Sequence, residues 1–145
     1  MSAERGIDIS ELSSGGSTHV VEVRVDADPA QLSVLRAVVG DLAMRADFDV
    51  DAIADLRLAV DEACSALIRL ASPGSTLVCR FQPDPLGLSV TAEVTSEDAT
   101  GPRTDTFSWR VLTALTDAVS TAVDSAPDGQ HLVRLDLSKQ RVAGV

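Results

Sequence analysis

The residues able to do chemistry in this chain are few, and most stand apart from one another. Asp61 and Glu62 are adjacent, with Arg57 and Arg69 on the same segment of helical periodicity. A carboxylate in that setting can serve as a general base or orient a water. It can equally be a solvated or capping side chain, since a lone glutamate among arginines on a helix is unspecific. Cys64 and Cys79 fall on separate expected elements without a CxxC, a histidine cluster or any other metal-ligand spacing, so they read as reduced, buried small hydrophobes. His19 and His131 lie far apart with no evident partner, and Ser65 and Ser108 have no His/Asp constellation. Trp109, the single tryptophan, sits among apolar neighbours, which favours packing over nucleotide stacking.

The elements that must position these residues follow from periodicity. Residues 1–17 are polar and rich in Ser and Gly and read as a flexible tail, as do residues 141–145 at the other end, leaving one domain over 18–140. Val21, Val23 and Val25 alternate with Glu22, Arg24 and Asp26, the pattern of a half-buried strand. Asp28-Pro29 opens a helix carrying Leu32, Leu35, Val38, Val39 and Leu42 at helical spacing, which runs to about Ala46. Asp49 or Asp51 caps a second helix, whose stripe is Ile53, Leu56, Val60, Ala63, Leu67 and Leu70, and Ser72-Pro73-Gly74 stops it. Thr76 to Gln82 and Leu88 to Val94 form a hairpin, and residues 95–105 form a loop that is a candidate working surface. A third helix bears Phe107, Val111, Leu112 and Leu115, and two last strands flank the turn residues Ser125 to Gly129.

A sheet built mainly from hairpins cannot take helices on both faces without many crossovers. The expected architecture is an α/β two-layer sandwich: a mixed, mostly antiparallel five-stranded sheet with three helices on one face. The other face should be more polar unless it takes part in dimerisation.

With 22 acidic and 12 basic residues the net charge is -10, which opposes binding to nucleic acid or to an anionic membrane. Aromatic residues are 3% of the chain and tyrosine is absent, so base-stacking platforms are also unexpected. No run of about 18 apolar residues and no secretory leader is evident, and the expected location is the cytoplasm.

Two segments carry a resemblance. Residues 55–71, DLRLAVDEACSALIRLA, are similar to the second-helix motif of RsbW-like anti-sigma factors, actinobacterial members in particular. These belong to the histidine-kinase-like ATPase superfamily of the Bergerat fold. Residues 107–119, FSWRVLTALTDAV, resemble the helix after the nucleotide lid in the same family, and with the element order the resemblance spans about residues 19–138. It implies a homodimer that holds an alternative, stress-response sigma factor away from RNA polymerase until an anti-anti-sigma antagonist displaces it. Kinase members also phosphorylate the antagonist on serine, using ATP with magnesium.

The resemblance transfers position by position, and at the nucleotide site it breaks down. The family's base glutamate matches Glu62, but the magnesium-ligating asparagine four residues on, on the same helix face, is Ala66. The adenine-binding aspartate and glycine match Ser96 and Asp98, and the paired glycines that meet phosphates match Thr106 and Ser108. The motifs for metal, adenine and phosphates are thus all altered. The expectation is an anti-sigma factor without catalysis, a cofactor or a metal; the alternative is an active serine/threonine kinase that binds ATP. Arg36 matches an arginine that in relatives touches both sigma factor and antagonist, although it could be a solvated helix residue.

Overall fold

Alternating and helical stretches take up their expected forms in the computed structural model, which describes residues 7–9 and 19–142. In chain order the elements are β1 (Ile7–Ile9), β2 (Val21–Asp26), α1 (Leu32–Arg45), α2 (Val50–Leu70), β3 (Thr76–Pro83), β4 (Gly87–Ser96), α3 (Phe107–Leu115), β5 (Ala118–Ser125) and β6 (His131–Gln140). The sheet order is β1-β2-β3-β4-β6-β5. Every neighbouring pair in it is antiparallel.

The α/β sandwich expected from periodicity is therefore present, with two differences in the sheet. It has no parallel pair among the described residues, and β1 adds a sixth strand at the edge, Ile7 opposite Val23. Three residues alternate too briefly, inside a Ser- and Gly-rich stretch, to stand out as a strand; the pairing is supplied by the backbone of β2. The rest of the segment read as a tail, 1–6 and 10–18, lies outside the described residues, as do 143–145. Arg141, assigned to the C-terminal tail, is tied down: its guanidinium donates to the carbonyls of Ala46 at 3.2 Å and Pro85 at 2.6 Å.

The core lies between the helices and one face of the sheet. Leu35 and Val39 enter it from α1, Leu56, Val60 and Leu67 from α2, and Phe81, Val94 and Leu135 from the strands, all buried. The register keeps each strand's inward set aligned: Val90 faces Leu137, and Ala92 faces Leu135. The β5–β6 hairpin closes on Asp128 (φ 62) and Gly129 (φ 73), two left-handed residues in succession, as a type I′ turn demands.

The outward face is polar, as expected. Arg80 donates to Glu22 at 2.9 Å and lies 3.4 Å from Glu93, and Arg24 donates to Glu22 at 2.7 Å. Thr91 and Arg134 both donate to Asp136. Partial burial pushes the Glu22 carboxyl up, but the two guanidinium groups outweigh it and hold it below its ordinary range.

Two stability predictions follow from this packing. Leu67 is fully buried and Leu58 is 48% exposed on the same helix. Leu67→Ala should lose about 2–5 kcal/mol by urea denaturation, and Leu58→Ala less than about 0.5 kcal/mol. Because the folded-state pKa of Glu22 is depressed, its contribution is complete above the unfolded pKa, about 4.3, and is lost as pH falls through the folded value. Urea midpoints of Glu22→Gln should fall below those of the parent at pH 7 and converge with them as pH falls below the unfolded value; a gap that stays constant with pH would contradict this.

Candidate functional site

α2 positions the site because its two adjacent faces have different work. Asp49 caps it by accepting the Ala52 N–H at 2.8 Å, Asp51 stands in the first turn and Arg69 in the last, each matching the sign of the helix dipole. One face is the buried stripe. The next carries Glu62, Ala66, Arg69 and Leu70, at steps of four, three and one, toward α3. α3 begins where the Thr106 hydroxyl accepts the Trp109 N–H at 3.2 Å, and Leu112 anchors it in the core.

Between these elements and the preceding loop lies a cavity of about 610 Å³. Ala66, Thr106 and Ser108 all line it, so three of the positions singled out in the sequence converge there. Glu62 joins them through one contact: the Ser108 hydroxyl donates to Glu62 Oε1 at 2.8 Å. The serine at a family phosphate-glycine position is thus bonded to the carboxylate at the family base position.

Ser96 and Asp98 stand outside the cavity lining. Ser96 is buried at the end of β4, where its hydroxyl accepts the Asp98 N–H at 3.1 Å. Asp98 is exposed and accepts the Thr100 N–H at 3.0 Å, a bond that holds its carboxyl below the ordinary range. The two therefore shape the turn that leads into the loop. Arg36 lies elsewhere, on α1, where its guanidinium pairs with Asp61 of α2. It is neither free nor buried, at 39% side-chain exposure.

The loop itself completes the wall. Gly101 crosses β5 so closely that a Cβ there would meet Val123 Cγ2 at 3.0 Å. Pro102 and Arg103 follow it along the cavity, and Arg103 is gripped by Asp105 through two bonds of 3.0 and 2.7 Å. The sequence makes this loop a candidate working surface but presents Arg69 only as a helix neighbour of Glu62, not as part of a site. The signal was available, because Arg69 is seven residues after Glu62 and so on the same helix face. Trp109, partly buried against the core, also lines the cavity.

As a donor set for magnesium the site fits poorly. One carboxylate oxygen is already engaged by a hydroxyl, and a methyl stands one helical turn on. Among the described residues no three His, Cys, Asp or Glu side chains converge as ligands. Beneath α2, Cys64 and Cys79 are buried free thiols with sulfurs 3.7 Å apart. The contact with Cys79 and burial both push the Cys64 thiol up, so neither geometry nor acidity makes it a nucleophile. No described helix is long and apolar enough to cross a membrane.

Comparison with known proteins places this site in context. The chain is 44% identical over 106 residues to the Anti-sigma-F factor RsbW of Mycobacterium tuberculosis, in sequences from two strains. The match covers 72% of this chain and 62% of the relatives' length. The family model of the histidine kinase-like ATPase domain matches residues 25–133, from the end of β2 into β6. With both helices of the site inside that span, the chain belongs to the histidine kinase-like ATPase domain family.

Proposed function

We propose that the chain is an anti-sigma factor that has left kinase chemistry behind. It works in the cytoplasm as a homodimer, holding an alternative, stress-response sigma factor away from RNA polymerase and yielding it to an anti-anti-sigma antagonist. The likeness to relatives named as anti-sigma factors supports the binding role. The observation that carries the loss of chemistry is the bond from Ser108 to Glu62 beside the methyl of Ala66. Phosphoryl transfer depends on positioning by metal, base and phosphate donors together. Here the base is engaged by a neighbouring side chain, and the metal's second ligand is a hydrocarbon. The kinase reading has two features in its favour, the retained carboxylate of Glu62 and the start of α3, whose remaining N–H groups could still hold phosphate.

The net charge of -10 suits a basic partner surface, and the guanidinium of Arg36 would add a directional contact. Its pairing with Asp61 fixes the guanidinium across α1 and α2 without hiding it. A partly exposed pair of this kind adds little to folding, less than about 0.5 kcal/mol after solvent screening.

Incubating the chain with labelled ATP and its antagonist, identified by co-purification, should give no phosphoserine; stoichiometric transfer would establish the kinase instead. In titrations against the co-purified sigma factor, Arg36→Ala should weaken binding about tenfold with the melting temperature nearly unchanged, whereas unaltered affinity would remove Arg36 from the interface. A double-mutant cycle of Ser108→Ala and Glu62→Ala should return a coupling of about 1 kcal/mol in urea unfolding. Additive losses would mean that the two side chains do not share a bond in solution.

A further inference from the structure

The cavity beside the Ser108–Glu62 contact keeps a wall chemistry that suits a ligand quite unlike a metal triphosphate. Its apolar surface comes from Ala66, Leu70, Pro102, Trp109 and Leu112. Two cations reach it, and they are not equivalent. Arg103 is neutralised by the two-bond grip of Asp105. Arg69 forms no ion pair among the described residues. At the start of α3 the Thr106 hydroxyl already takes one backbone donor, the Trp109 N–H. A volume of about 610 Å³ falls in the range of small-molecule pockets, roughly 300–1,000 Å³.

Charge decides which ligand this wall can hold. A triphosphate would bring several negative charges to one unpaired guanidinium, on a chain of net charge -10 and next to the carboxylate of Glu62. A single negative charge is matched by Arg69 alone. An aromatic body is matched by an indole and aliphatic side chains, where ring contacts add to simple burial.

The geometry points to a binding site for a small aromatic monocarboxylate, its ring system against Trp109 and Leu112 and its carboxylate at Arg69. Such a ligand bridges the end of α2, the loop and α3. The site is thus a candidate control point for a small organic acid. The inference rests on the reading that Mg-ATP does not occupy this cavity, so the two must be tested side by side.

Isothermal titration of the full chain with 2-naphthoate, with 2-naphthamide as a neutral analogue of the same shape, and with Mg-ATP separates the possibilities. The expected result is saturable one-to-one binding of 2-naphthoate with Kd on the order of 100 μM, about fivefold tighter than 2-naphthamide. In Arg69→Gln the two naphthalenes should bind alike, because the difference between them is the charge pair. Ala66→Leu should exclude both, with the circular dichroism spectrum and urea midpoint checking that it folds. Should that variant unfold, the loss of charge preference in Arg69→Gln still decides the matter. No saturation by 2-naphthoate below about 5 mM, together with no ATP binding, would overturn this proposal and leave the proposed function standing. A preference for 2-naphthoate that survives in Arg69→Gln would also overturn it. Micromolar Mg-ATP binding that displaces 2-naphthoate would instead overturn the reading beneath it.

Discussion

One helix has to satisfy two partners at once, and the rest of the molecule is arranged around that demand. α2 must press Leu56, Val60 and Leu67 against the sheet while offering Glu62, Ala66 and Arg69 to α3 and its loop. With about 100° of rotation per residue these requirements are not independent, because the helix cannot turn to improve one face without withdrawing the other. Burial decides the outcome. Each core leucine is worth about 2–5 kcal/mol against truncation, whereas the bond from Ser108 to Glu62 is worth on the order of 1 kcal/mol. The core therefore sets where Glu62 stands, and the hydroxyl of Ser108 meets it there. α3 likewise stays in place through Leu112 and Trp109, with the bond orienting the carboxylate between them.

The parts of this arrangement that a sequence reader can see are those with a period. The stripe of α2, the alternation of β2 and the stop at Ser72-Pro73-Gly74 each declare an element within a few residues, and together with hairpin spacing they lead to the two-layer architecture. β1 escapes because three residues do not make a period. The site is legible only in pieces. Glu62 and Ser108 are 46 residues apart, and Arg36 and Asp61 are 25 apart. No local pattern joins such pairs, since their meeting depends on how the sheet order folds the chain. The resemblance brought Ala66, Thr106 and Ser108 into one group, and the fold gathers them around the cavity. It also grouped Ser96 and Asp98 with them, whereas the turn after β4 buries the serine and points the aspartate to solvent.

Charge is organised more locally than the net value of -10 suggests. On the open face of the sheet Glu22, Arg24, Arg80 and Glu93 neutralise one another, as do Arg134 and Asp136. Short loops do the same, with Arg103 held by Asp105. Among the described residues the surplus of acid is thus spread over positions that no cation answers, and an unanswered cation such as Arg69 stands out against it. An acidic surface of this kind speeds encounters with a basic protein and slows those with polyphosphates.

Under the proposed reading, the substitutions at the old nucleotide site also support one another. A partly enclosed carboxylate that has lost its metal is left with acceptor capacity and a desolvation penalty of about 1–3 kcal/mol if nothing donates to it. At the position of Ser108 a glycine has no side chain with which to answer that need, whereas a hydroxymethyl group does so at 2.8 Å. Ala66, one turn along from Glu62, then adds a small apolar surface where a second polar ligand would otherwise demand a partner of its own. The exchange converts a polar site that needs a bound ion into one satisfied from within the chain. A fold that no longer depends on nucleotide for the integrity of its site is free to keep the surfaces of α1 and α2 for a protein partner.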